Sequence, residues 1–112
     1  MHIDDLINKI RPLIPFGSEQ AAQAFIDSLG ENDPIALISA MYIGRSHINS
    51  NEINDDYKEL LFSGKIDRFW DEDTVPENEI ARVLHEKNKN LNIYYDAFMR
   101  CTTNSNFDRS NF

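Results

Sequence analysis

The sequence predicts an all-α domain, a compact bundle of five to six helices with an apolar central helix over residues 33–43. Three observations predict it. Apolar residues recur at the three-to-four spacing of a helix through most of the chain. Prolines, glycines and capping residues punctuate those stretches where helices should start and stop. The best strand candidate, residues 35–43, is bracketed by Asp33-Pro34 and Gly44, which are helix boundary signals.

Ile3, Leu6, Ile7 and Ile10 make one apolar stripe over residues 2–11. Asp4 and Asp5 sit in its first turn, where the helix dipole favours negative charge. Pro12 and Pro15 end it, because proline disfavours helical geometry in the residue before it. The connector 13–17 is apolar for a loop and is expected to pack inward. Ser18 is placed to cap a second helix over 18–29, with Ala21, Ala22, Phe25, Ile26 and Leu29 on its buried face. Gly30 is suited to the left-handed conformation that closes a helix.

Asp33 then reads as an N-cap and Pro34 as the first residue of the third helix. Residues 35–43 are apolar on nearly every face, which places this helix at the centre, and Gly44 reads as its stop. Residues 45–54 have a loop composition. Asn54 reads as the cap of a fourth helix over 54–63, with Tyr57, Leu60 and Leu61 toward the core and Gly64 at its end. Pro76 opens a fifth, carrying Ile80, Val83 and Leu84. Asn88 and Asn90 compete for their own backbone and predict a break. Leu91, Tyr94, Tyr95, Phe98 and Met99 form the stripe of a sixth helix, one continuous helix through 76–101 being the alternative. Residues 102–112 lack a helical period and are expected to be a flexible tail on a single domain, 1–101.

At 112 residues and 41% hydrophobic content, the chain fits one domain with one core. The lone cysteine, Cys101, excludes an internal disulfide. No apolar run reaches the ~18 residues of a bilayer span, so a membrane partner is not expected. Acids at positions 4 and 5 stand where a secretion signal carries lysine or arginine, so a cytoplasmic location is expected. The net charge of −8 opposes phosphate and disfavours nucleic acid as a partner. It attracts a basic protein and speeds its encounter.

That charge is unevenly placed. Residues 52–79 hold ten acids against three bases, a net of −7 in a quarter of the chain. Phe69-Trp70 sits inside this segment, directly before Asp71-Glu72-Asp73. A large aromatic ringed by carboxylates suits a surface for a basic protein, since the aromatic anchors by burial while rim charges steer. The candidate binding residues are Asp67, Trp70, Asp71, Glu72, Asp73 and Glu77, with Asp55, Asp56 and Glu59 as a second patch. The bland reading is that acids at 55–56 and 77–79 merely stabilise helix starts and that Trp70 is core.

No constellation points to a cofactor, a metal or a catalytic centre. His85-Glu86 begins like a zinc-protease motif, but position 89 is lysine rather than the second histidine. Asp71-Glu72-Asp73 lacks the spacing and central glycine of a calcium loop. Cys101 reads as a structural thiol near a helix end, where the dipole opposes thiolate.

The stretch Ala40-Met41-Tyr42-Ile43-Gly44-Arg45 resembles a motif of a small uncharacterised bacterial helical family, in which an apolar helix also runs into Gly-Arg. That resemblance implies no activity. In overall character the chain is also similar to bacterial toxin-immunity proteins. This likeness implies a non-enzymatic inhibitor that occludes the active site of a basic toxin domain, such as a nuclease. A homodimerising helical adaptor and an enzyme of another type are the alternatives.

Overall fold

A computed structural model describes residues 1–68 and 75–112. Among the described residues lie six α-helices and no strand: α1 (Ile3–Ile10), α2 (Glu19–Asp27), α3 (Asp33–Arg45), α4 (Asp55–Phe62), α5 (Ile80–Glu86) and α6 (Leu91–Asn104). The all-α bundle the sequence predicts is what the chain forms. Single 3-10 turns sit at Arg11–Leu13, Glu77–Glu79, Asn88–Asn90 and Arg109–Asn111.

The apolar third helix is the centre. Every residue of α3 from Asp33 to Gly44 is buried except Ile35, which is half-buried. Its most extensive partner is α6, and α2 packs on α5. α1 lays Ile3, Leu6, Ile7 and Ile10 against the core, each essentially inaccessible. Each such side chain contributes roughly 1.5–3 kcal/mol relative to staying exposed. Side-chain caps hold two helix starts. The His2 ring accepts from the Asp4 N–H at 3.0 Å, and the Ser18 hydroxyl accepts from the Ala21 N–H at 3.1 Å.

Gly44 corrects the sequence reading. It does not stop α3, which continues through Arg45. It lets the α6 backbone touch the α3 backbone: a Cβ built on it would lie 1.9 Å from the Tyr94 carbonyl oxygen and 3.2 Å from the Phe98 amide nitrogen. Beside this contact Tyr95 is fully buried, and its hydroxyl donates to the Leu37 carbonyl at 3.0 Å. Gly64 is the glycine that does close a helix, at φ +81° after α4. Gly30 keeps a negative φ, and its N–H donates to the Asp33 carboxylate at 3.2 Å.

Asp33 is likewise not the cap of α3. Asn32 holds that position without a side-chain bond, and Asp33 turns its buried carboxylate elsewhere, as described below. The break between α5 and α6 falls where the asparagines predict it, although Asn90 makes no side-chain cap. Asn88 instead clasps the connector after α1. Its amide accepts from the Phe16 N–H and donates to the Phe16 carbonyl, both at 2.8 Å. Phe16 is buried, as an inward-packing connector requires, while Leu13 is exposed. The fifth helix starts later than its proline suggests, because Pro76 leads a 3-10 turn and α5 begins at Ile80.

The expected tail is docked. α6 extends to Asn104, and Phe107 and Phe112 are buried, Phe112 packing on Phe98 with ring centroids 5.2 Å apart. The Arg109 guanidinium reaches Asp4 at 2.7 Å and the Thr103 hydroxyl at 2.6 Å. Two phenylalanines five apart carry no helical period, yet each finds a place in the core.

Gly44→Ala is expected to cost at least about 3 kcal/mol, because a methyl group there must drive two backbones apart. Gly64→Ala meets no atom within 4 Å and carries only the cost of a left-handed φ, about 1 kcal/mol. Urea unfolding of the two variants measures the difference. Phe112→Ala, harmless on a free tail, is expected to cost about 3 kcal/mol in the same assay.

Candidate binding surface

The predicted surface is described only in part. Trp70, Asp71, Glu72 and Asp73 lie outside the described residues. Asp67 is half-buried beside buried Ile66. Glu77 is exposed in the 3-10 turn ahead of α5. Asp55, Asp56 and Glu59 are exposed on α4, the second patch.

α4 stands on a fixed base, built from the loop that precedes it. The imidazole of His47 is inaccessible to solvent, and its Nε2 accepts from the Asn54 N–H at 3.0 Å. The ring proton therefore sits on Nδ1, which donates to the Ile43 carbonyl at 2.7 Å. Tyr57 of α4 packs edge-on against this ring, and its hydroxyl bonds that of Ser46. α6 grips the same loop from below. Arg100 donates to the carbonyls of His47, Ile48 and Ser50, the Ser105 hydroxyl accepts from the Ile53 N–H at 2.8 Å, and the Asn104 amide donates to the Asn51 carbonyl. The Cys101 thiol donates to the Ser50 carbonyl. Burial pushes that thiol upward, and the charge and hydrogen bond of Arg100 only partly offset it. Cys101 is thus a buried structural thiol, poorly suited to nucleophilic attack.

Successive residues turn by about 100° around α4, and this decides what it shows to solvent. Leu61 is buried and Tyr57 half-buried, so their side faces inward. Asp55, Glu59 and Asp56 lie opposite. Phe62 flanks them on one side and Leu60 on the other, 51% and 38% exposed. Leu60 was expected in the core and is not there: the inward arc of this two-turn helix is narrow, and Leu60 falls outside it. Phe62 stacks edge-on against Phe107 at 5.4 Å.

Elsewhere the chain neutralises some of its own charges. Arg11 pairs with Asp96 at 2.9 Å, Arg109 with Asp4, Arg68 with Asp33 at 3.1 Å, and Arg82 with Glu79 and Glu86. Glu79, one of the acidic-segment carboxylates, is consumed in this way. Asp55, Asp56 and Glu59 form no ion pair among the described residues.

Asp33 is the centre of the buried pairing. One carboxylate oxygen takes Arg68 Nη1 and the Met1 amine, each at 3.1 Å. Arg68 also donates to the carbonyls of Phe112 and Met1. Burial alone would raise the Asp33 pKa. The Met1 amine, the Gly30 N–H and Arg68 outweigh it and hold the group below its ordinary 3.8. Among the described residues no three histidine, cysteine, aspartate or glutamate side chains are grouped to hold a metal ion.

The apolar flanks of α4 escaped the sequence reading. Their one signal was that Phe62 shares a helical stripe with Glu59 and Asp55. The groove beside them, between the end of α4 and residues 107–111, had no signal, because it depends on the docked C-terminal segment.

Because the Asp33 pKa is lowered on folding, its contribution is complete above the ordinary aspartate value and lost as pH falls through the folded one. Asp33→Asn is expected to cost roughly 3 kcal/mol near neutral pH, as when one partner of a buried ion pair is removed. The gap between the two proteins should narrow as pH falls below the ordinary aspartate value of 3.8. Chemical denaturation above and below that pH measures it.

No helix among the described residues is long and apolar enough to cross a membrane. No family model, curated protein or solved structure matches the chain.

Proposed function

We propose that this chain is a non-enzymatic acidic binding protein that caps a basic protein, in the manner of an immunity protein neutralising a toxin. The observation that carries the reading is a contrast in charge use. Four arginines are spent on internal ion pairs, while Asp55, Asp56 and Glu59 stand exposed on α4 with no ion-pair partner among the described residues. Exposed carboxylates held on an anchored helix steer a cationic partner and reject anionic ones. A nuclease domain fits that description, because it must carry positive charge to hold phosphate. An acidic inhibitor competes for that same surface and occludes the active site. The sequence extends the acidic run through Asp67, Asp71, Glu72, Asp73 and Glu77, with Phe69 and Trp70 in the same segment.

The test is co-expression with the product of the adjacent reading frame. A basic domain that co-purifies with this chain, and whose toxicity the chain suppresses, is the expected result. Undiminished toxicity with no complex would overturn the reading. Reversing Asp71 and Asp73 to lysine is expected to weaken the complex at least about tenfold while leaving the melting temperature unchanged. Titration calorimetry at low and high salt measures the loss.

A further inference from the structure

Resting on that binding reading, we propose that a cationic segment of the partner docks across α4 and residues 107–111, seating one apolar side chain in the groove that Phe62 and Phe107 line together. The groove has a volume of about 230 Å³ and is lined by Leu61, Phe62, Gly64, Phe107, Asp108 and Asn111. Phe62 forms one wall and is half open to solvent, and the buried ring of Phe107 lies against it. Gly64 leaves its own position open, with nothing within 4 Å of where a Cβ would stand. An exposed aromatic beside such a hollow is the kind of place where one inserted side chain supplies most of the affinity.

The charges around the groove define the occupant. Asp55 and Glu59 run along α4 on the stripe that Phe62 continues. Asp108 stands on the opposite wall, its carboxylate fixed by the Ser110 N–H at 3.0 Å and the Ser110 hydroxyl at 2.5 Å. Those bonds lower its pKa, so it stays ionised. With Asp56, four acids stand here with Lys58 and Lys65, a net of −2, while Arg109 is already paired with Asp4. A lysine- or arginine-bearing segment gains on both walls while its apolar residue fills the space between. A second copy of this chain would set the same carboxylates against one another, and like charges at an interface oppose pairing.

The test uses the full chain and two synthetic peptides of equal charge, one alternating lysine with leucine, the other oligolysine. Amide shifts on adding the first peptide are expected at residues 59–64 and 107–111, with affinity about tenfold above that of oligolysine. Phe62→Ser should erase that advantage. Glu59→Lys, at an exposed position, should weaken both peptides without touching the fold. Should Phe62→Ser lower the melting temperature, Phe62→Leu keeps the test intact, since it should retain the preference. Shifts that gather instead at residues 67–77 overturn this placement and leave the acidic-binder reading standing. If neither peptide binds at low salt, that reading falls and the placement with it. A concentration-dependent dimer in sedimentation that Phe62→Ser dissolves would make the occupant a second copy and overturn the proposal.

Discussion

The molecule depends on two helix backbones lying in contact. At Gly44 the main chain of α3 meets that of α6 with no side chain between them, an approach closed to any larger residue. Close approach seats Tyr95 in the core with its hydroxyl on the Leu37 carbonyl, a polar group that burial would otherwise penalise. It also brings the last turns of α6 under the 46–54 loop, where Arg100, Cys101, Asn104 and Ser105 can reach that loop's backbone. The foundation of α4 is therefore a consequence of one missing methyl group in the helix before it.

Polar order follows the same geometry. The loop before α4 has no regular secondary structure, so its carbonyls and amides need partners from elsewhere. Arg100, with its fixed fork of donors, serves three carbonyls, and neutral His47 serves one acceptor and one donor. At the other end of α3, Asp33 and Arg68 tie Met1 and Phe112 to the central helix. Desolvating these charges is tolerable because each has several hydrogen bonds, and removing one member strands the others.

One result is a division of charge. Arg11, Arg68, Arg100 and Arg109 make internal bonds, while Asp55, Asp56 and Glu59 face solvent. On α4 two roles coincide without conflict: Asp55 and Asp56 stabilise the start of a short helix, and together with Glu59 they form its outward stripe. A helix of eight residues with only Leu61 fully buried gains little from packing, so the anchored loop and the ring contacts of Tyr57 and Phe62 hold it in place.

Much of the fold was legible in residue order, because local physics decides it. The stripe of α1, the cap at Ser18, the all-round apolarity of α3 and the asparagine break before α6 each depend on a few neighbouring residues, and each is realised. So is the exposure of Asp55 and Asp56, since acids in a first turn face water unless a base intervenes. Other features required the folded molecule. Glycine ends helices and also admits close neighbours, and only the path of α6 shows that Gly44 does the second. Asp33 has the chemistry of a cap and of a buried ion-pair centre, and Arg68, thirty-five residues away, selects between them. Phe107 and Phe112 have no periodic signal because their partners, Phe62 and Phe98, belong to other elements. The sequence determined which segments coil and where negative charge accumulates, because those properties add up along the chain. Tertiary structure alone decided which glycine was a contact, which carboxylate was buried and where a groove opens, because those depend on distances between residues remote in sequence.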